Sequence, residues 1–364
     1  MPHYNNKIER DNNLDIYRGC ALIYIVGIIH IIGYWVDFNV YNILSLMLIV
    51  MPILFYISGA SYALSGKKSY VQYIKNRIKR IIIPLLVYLT IYTTYNTIKG
   101  ELLPQQLPGT ILKYAYNIIF AGDIMELDPL WYIQPYIIIA LLLTLLYYVS
   151  QHINRWGTYT LLLLNLVGIY FFPGYIPCYI VATYAGLYYK RDKPYNSIVV
   201  LAIFVAAIIL WVAQGNTWNI QINKFPPTLM YLSYTSCMLI ILNRPLKWLC
   251  QQATRMPILR YIINHYAQHS YSIYLYHFNV MRIVHTAYFV ICLKLFDNHP
   301  LLMHPACSLT VIAITTLLVL IPLSMIVDHI NNAVERGVSA IWHKTTSLCQ
   351  RTINKDEDKK SKQG

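Results

Sequence analysis

The sequence predicts an all-α, polytopic membrane bundle of about ten transmembrane helices with both termini in the cytoplasm. Composition, the recurrence of long apolar runs and the placement of positive charge carry that prediction. Hydrophobic residues make up 57% of the 364-residue chain and charged residues 12%, with a mean hydropathy of +0.45, a balance far from that of a soluble domain. Apolar runs of membrane-crossing length, or close to it, fall at 19–36, 40–63, 81–98, 129–150, 158–172, 175–189, 197–214, 228–243, 271–295 and 306–327. A formal charge of +14 could suggest nucleic acid, but the basic residues segregate. With the N-terminus inside, 24 of the 29 lysines and arginines lie on the cytoplasmic side, Lys99, Lys113, Lys224 and Lys294 lie outside, and Arg282 lies within a helix. The expected location is the inner (cytoplasmic) membrane, with no nucleic-acid partner.

Residues 1–13 form a polar cytoplasmic segment, and the run that follows lacks a small-residue cleavage site, so it reads as an anchor. The membrane domain is assigned to 14–328. Within its first helix Arg18 stands at the start and His30 roughly 18 Å of helix rise further on, deep in apolar sequence where an ionisable group is costly. Asp15 can pair with Arg18. Asp37, seven residues past His30, falls on nearly the same helical face and is the candidate to orient the imidazole, against the alternative of a solvated loop acid.

After the second run, GKKSYVQYIKNRIKR reads as an amphipathic interfacial helix leading into Pro84. Its basic cluster Lys75, Arg77, Lys79 and Arg80 suits either anionic lipid or the phosphates of a nucleotide-containing donor. The outer connection 99–128 is rich in breakers and carries Asp123, Glu126 and Asp128, the makings of a lid or an acceptor platform. Trp131 and Gln134 open the fourth helix at the outer interface, where a tryptophan also serves as an anchor.

The connection 243–270 reads as cytoplasmic, with His265 and His269 at its end. The ninth helix follows and carries Tyr274, His277, Arg282 and His285 within an arc of roughly 140°, a stripe expected to face the bundle interior, with Asp37 as one candidate partner for Arg282. Residues 329–364 read as a cytoplasmic amphipathic helix ending in a disordered basic tail. Seven scattered cysteines give no CxxC pair and no metal-ligand spacing, and no metal is expected.

Four segments taken together resemble the acyltransferase-3 family of integral membrane acyltransferases: LDIYRGCALIYIVGIIH at 14–30, PILFYISGASYAL with KNRIKRIIIP at 52–84, PLWYIQPYIIIALL at 129–142, and SYSIYLYHF at 270–278. The resemblance implies transfer of an acetyl or other small acyl group from cytoplasmic acyl-CoA, a co-substrate and not a tightly bound cofactor, to a hydroxyl of a cell-surface glycan or related acceptor. That would be O-acetylation of a cell-envelope polysaccharide. It assigns functional roles to Arg18 and His30, donor binding to Arg77, Arg80, Tyr274 and His277, and matches Ser58, Gly59 and Trp131. An imidazole is suited to act as base, or as a transient acyl carrier. Arg282 and His285 are further candidates along the substrate path.

One departure stands out. Eleven residues separate Arg18 from His30, where the family pattern has ten. On a regular helix that extra residue swings the two side chains apart by roughly 120°. A one-residue bulge near Gly27 would restore the alignment. The rival reading from another class is a transporter or flippase of a glycan or lipid-linked intermediate, which predicts inverted repeats that the sequence does not display. A third is a catalytically inactive scaffold.

Overall fold

A computed structural model describes residues 11–65, 69–121, 128–296 and 299–361. Among these residues the chain is helical throughout, with no β-strand. The helices are α1 (Asn12–Tyr24), α2 (His30–Trp35), α3 (Asn42–Ser45), α4 (Val50–Leu64), α5 (Tyr70–Ile98), α6 (Leu107–Tyr116), α7 (Ile133–His152), α8 (Arg155–Phe171), α9 (Tyr175–Gly186), α10 (Ser197–Ala213), α11 (Leu229–Ala253), α12 (Pro257–Gln268), α13 (Ser270–Leu295), α14 (Pro300–Met303) and α15 (Pro305–Ser361). Among the described residues six helical stretches are long and apolar enough to cross a membrane: Asn12–Gly33, Asn42–Leu64, Tyr70–Ile98, Leu130–His152, Ser270–Leu295 and Pro305–Ala340. The remaining apolar runs fold as α8, α9, α10 and the first half of α11.

Small residues set the packing, as expected where lipid supplies no hydrophobic drive between helices. A Cβ on Gly59 would sit 2.1 Å from the carbonyl oxygen of Thr183, and one on Gly186 would sit 2.1 Å from that of Tyr56, so α4 and α9 cross backbone to backbone. Gly19 lets α1 approach α12 in the same way, with Ile263 O 2.2 Å from the missing Cβ. The core these crossings enclose is aromatic as well as aliphatic, with Phe55, Tyr179, Tyr231 and Tyr266 fully buried.

Several connections differ from the sequence expectation. The basic segment before Pro84 is not a separate surface helix but the first turns of α5, which runs unbroken through that proline. Proline removes a single backbone bond, and neighbouring helices hold the rest in place. The connection expected in 243–270 is largely structured too: α11 extends to Ala253, and α12 packs on α1 with His265 buried. α15 runs on as one helix into the stretch after residue 328 where an amphipathic helix was expected, and it continues to Ser361, through most of the tail expected to be disordered. Asp123 and Glu126 lie outside the described residues.

Between α1 and α2 the helix widens into a π turn over Ile25–Ile29, and the backbone N–H of His30 bonds to the carbonyl of Ile25 five residues back. Gly27 lies inside that turn, against the side chain of Leu317. One extra residue is absorbed there without interrupting the span.

Candidate active site

Arg18, inside α1, donates from Nη1 to Asp15 Oδ1 at 3.1 Å and from Nη2 to Ser61 Oγ at 3.2 Å. Arg77 on α5 donates from Nη2 to Ser58 Oγ at 3.1 Å. Ser58 and Ser61 are one turn apart on α4, so that helix holds both guanidinium groups side by side. Arg77 also lies over the rings of Tyr136, 5.2 Å from its centroid, and Tyr73, 5.8 Å away. Its Nε is buried without a protein partner among the described residues. Arg80 is exposed, and Lys79 turns away to Glu335 at 2.9 Å.

The second half of the site is a histidine pair. Nδ1 of His30 lies 2.7 Å from Nε2 of His277, with the rings stacked at 4.8 Å. Nδ1 of His277 lies 2.6 Å from the carbonyl oxygen of Tyr274. A carbonyl only accepts, so His277 carries its proton on Nδ1 and leaves Nε2 as an acceptor. Neutral His30 must then donate from Nδ1, which leaves a lone pair on its Nε2. His277 is fully buried, whereas His30 is partly accessible. With both rings neutral, the pair leaves the lone pair of His30 on Nε2, the nitrogen turned away from the contact with His277.

The two halves are joined by rings. Tyr136, under Arg77, stacks with Tyr132 at 5.3 Å; Tyr132 meets Tyr274 at 5.5 Å; and Tyr274 meets His277 at 5.7 Å. Arg18 and His30 do not touch. They lie roughly 18 Å apart along one helix, at the two ends of this aromatic path. Tyr132 and Tyr136 were not singled out from the sequence, although their i, i+4 spacing directly after Trp131 places them on one face.

Other candidates sit differently from expectation. Asp37 lies beyond the end of α2 and accepts from Asn39 N at 2.8 Å and Asn39 Nδ2 at 2.9 Å, so the carboxylate caps a turn, and the imidazole of His30 is oriented by His277. The polar stripe on α13 divides: Tyr274 and His277 are buried, while Arg282 is exposed and His285 only partly buried, against Phe289. Arg282 lies 140° round the helix from His277, past the packed sector, and places its guanidinium 4.8 Å from the centroid of Phe278. Phe278 in turn meets His30 edge-on at 5.8 Å.

Trp131 is partly buried and packs at 5.2 Å from both Tyr175 and Phe225. Lys224, also missed from the sequence, places Nζ 5.7 Å from the Trp131 ring centroid. Its loop is rigid because the buried Asn219 donates to Phe38 O, Asn39 O and Asn42 Oδ1, at 2.9, 3.2 and 2.6 Å. Among the described residues no group of three or more His, Cys, Asp or Glu side chains could hold a metal ion.

The described bundle thus carries a basic pair, a buried histidine pair and a run of rings between them. The family model for the acyltransferase domain of acyltransferase-3 proteins matches residues 11–325, and the chain belongs to that family. No curated protein and no solved structure matches it.

Proposed function

We propose that this protein transfers an acetyl or similarly small acyl group from cytoplasmic acyl-CoA to a hydroxyl of a cell-surface glycan or related acceptor, in a bundle crossing the inner membrane about ten times with both termini inside. The single observation that carries the reading is the His277–His30 hydrogen bond, because it fixes the tautomer that leaves His30 Nε2 free to act as a base. In the forward reaction the acceptor O–H gives its proton to that nitrogen as its oxygen attacks the thioester carbonyl. The C–S bond then breaks, and the CoA thiolate leaves and takes up the proton. Positive charge forming on His30 is shared through Nδ1 with His277 and with the carbonyl of Tyr274.

Arg77 and Arg18 would hold the donor at the basic end, where guanidinium groups suit phosphate oxygens, and Arg80 would meet it first at the exposed mouth. Acyl-CoA is written as co-substrate. The π turn supports one shared path, since it absorbs the residue that would otherwise swing Arg18 and His30 onto different faces. Trp131 and Lys224 would face the acceptor.

The test is release of free CoA thiol from membranes given acetyl-CoA and a hydroxylated acceptor. Wild-type membranes should release thiol, and membranes carrying folded His30→Ala should not. Turnover by that variant at the wild-type rate removes His30 from the chemistry.

A further inference from the structure

On the side of α1 and α4 away from the arginine pair, the bundle holds a cavity of about 1100 Å³. Tyr17, Cys20 and Tyr24 of α1 and Ile53, Tyr56 and Ile57 of α4 form one wall, and residues of α7 to α11 form the others. Arg18, His30, Arg77 and His277 are not among its lining residues. It is therefore a different space from the aromatic path.

The lining is mostly apolar. Its cations are Lys193, Arg244 and Lys247, of which Arg244 and Lys247 are one turn apart on α11 and Lys193 is near enough to repel Lys247, and no acidic side chain lines the cavity among the described residues. Burial, together with repulsion from Lys193, holds the Lys247 amine below the ordinary lysine range. Lys247 lies 6.0 Å from the ring centroid of Tyr189 and Lys193 5.9 Å from that of Tyr195, so aromatic faces are their visible partners. Cations gathered in this way call for an anion, and the apolar remainder calls for hydrocarbon.

We propose that this cavity binds a phospholipid with a net negative headgroup, its phosphate among Lys193, Arg244 and Lys247 and its acyl chains in the space between α1, α4 and α8 to α11. The chemistry separates it from the donor: a nucleotide coenzyme would leave most of this hydrocarbon-lined volume unmatched. Its volume is ample for the chains, and the charge complementarity selects the headgroup.

The test uses the full chain in mild detergent, incubated with phosphatidylglycerol, phosphatidylcholine, inorganic phosphate or free CoA and read by native mass spectrometry and thermal unfolding. Phosphatidylglycerol should be retained at least tenfold over phosphatidylcholine and should raise the unfolding temperature where inorganic phosphate does not. The double variant Lys193→Gln/Lys247→Gln should lose that selectivity. Leu162→Trp, which fills the apolar part, should lose the lipid while keeping the charges. Equal retention of both lipids by the wild type overturns the proposal whether or not a variant folds. So does full stabilisation by phosphate alone, or displacement of the lipid by CoA. Undiminished selectivity in the glutamine variant would overturn it as well.

Discussion

His30 and His277 meet nitrogen to nitrogen at 2.7 Å across the contact between the first membrane helix and α13, although 247 positions separate them in the chain. Neither ring could be assigned a tautomer alone. The carbonyl of Tyr274 orders both, because with both rings neutral His277 donates from Nδ1 and His30 donates to its Nε2, the arrangement on which the proposed general-base role of His30 rests.

His277→Gln should therefore lower kcat for CoA release by about 10- to 100-fold with KM for acyl-CoA little changed, since it disturbs the support and spares the donor site. His30→Ala should show a larger loss. Equal KM increases and an unaltered kcat in His277→Gln would mean that the ring only lines the donor path.

The widened turn yields a second expectation. Ile28 is the member of Ile25–Ile29 whose side chain is exposed, at 39%, while Gly27 packs against Leu317. Deleting Ile28 should convert the π turn to α-helix, keep Arg18 and His30 on their present faces and retain activity within about tenfold. Deleting Ile23 from the regular part of α1 should turn every residue on its N-terminal side, Arg18 included, by about 100° and abolish turnover. Equal damage from the two deletions would contradict this account.

At the basic end, Arg77→Lys should behave as a severe change, lowering kcat/KM by at least about tenfold, because an ammonium cannot both reach Ser58 and lie flat over Tyr136. Arg80→Ala should raise KM for acyl-CoA with kcat retained. Initial rates over a range of acyl-CoA concentrations decide both.

Gly59→Ala should destabilise the bundle by about 1–3 kcal/mol, since its Cβ would fall 2.1 Å from the carbonyl oxygen of Thr183. Gly168→Ala is the matched control, with nothing within 4 Å of its added methyl. Thermal unfolding of the two purified variants in one detergent is the measurement.

Much of this was legible in the sequence, for physical reasons. Apolar runs must be helical in lipid, and the runs reappear as helices, the one at 40–63 divided between α3 and α4. Arg18, His30, Arg77, Tyr274 and His277 stood out as polar groups in or beside apolar sequence, and the structure gathers them into two connected clusters. Asp37 misled because helical spacing was extended past the helix end, whereas its local Asx turn is the stronger pull. Arg282 misled because an arc drawn from spacing does not say where packing stops. Lys224 and Asn219 carried no periodic signal at all, since their positions come from a loop folded onto a distant corner of the chain.

The five-residue turn at Ile25–Ile29 bears on how such chains are found at all. An inserted amino acid there is taken up as slack, leaving the geometry upstream and downstream undisturbed. Searches that demand a fixed arginine-to-histidine interval will pass over proteins that have kept the machinery and merely lengthened the thread between its parts.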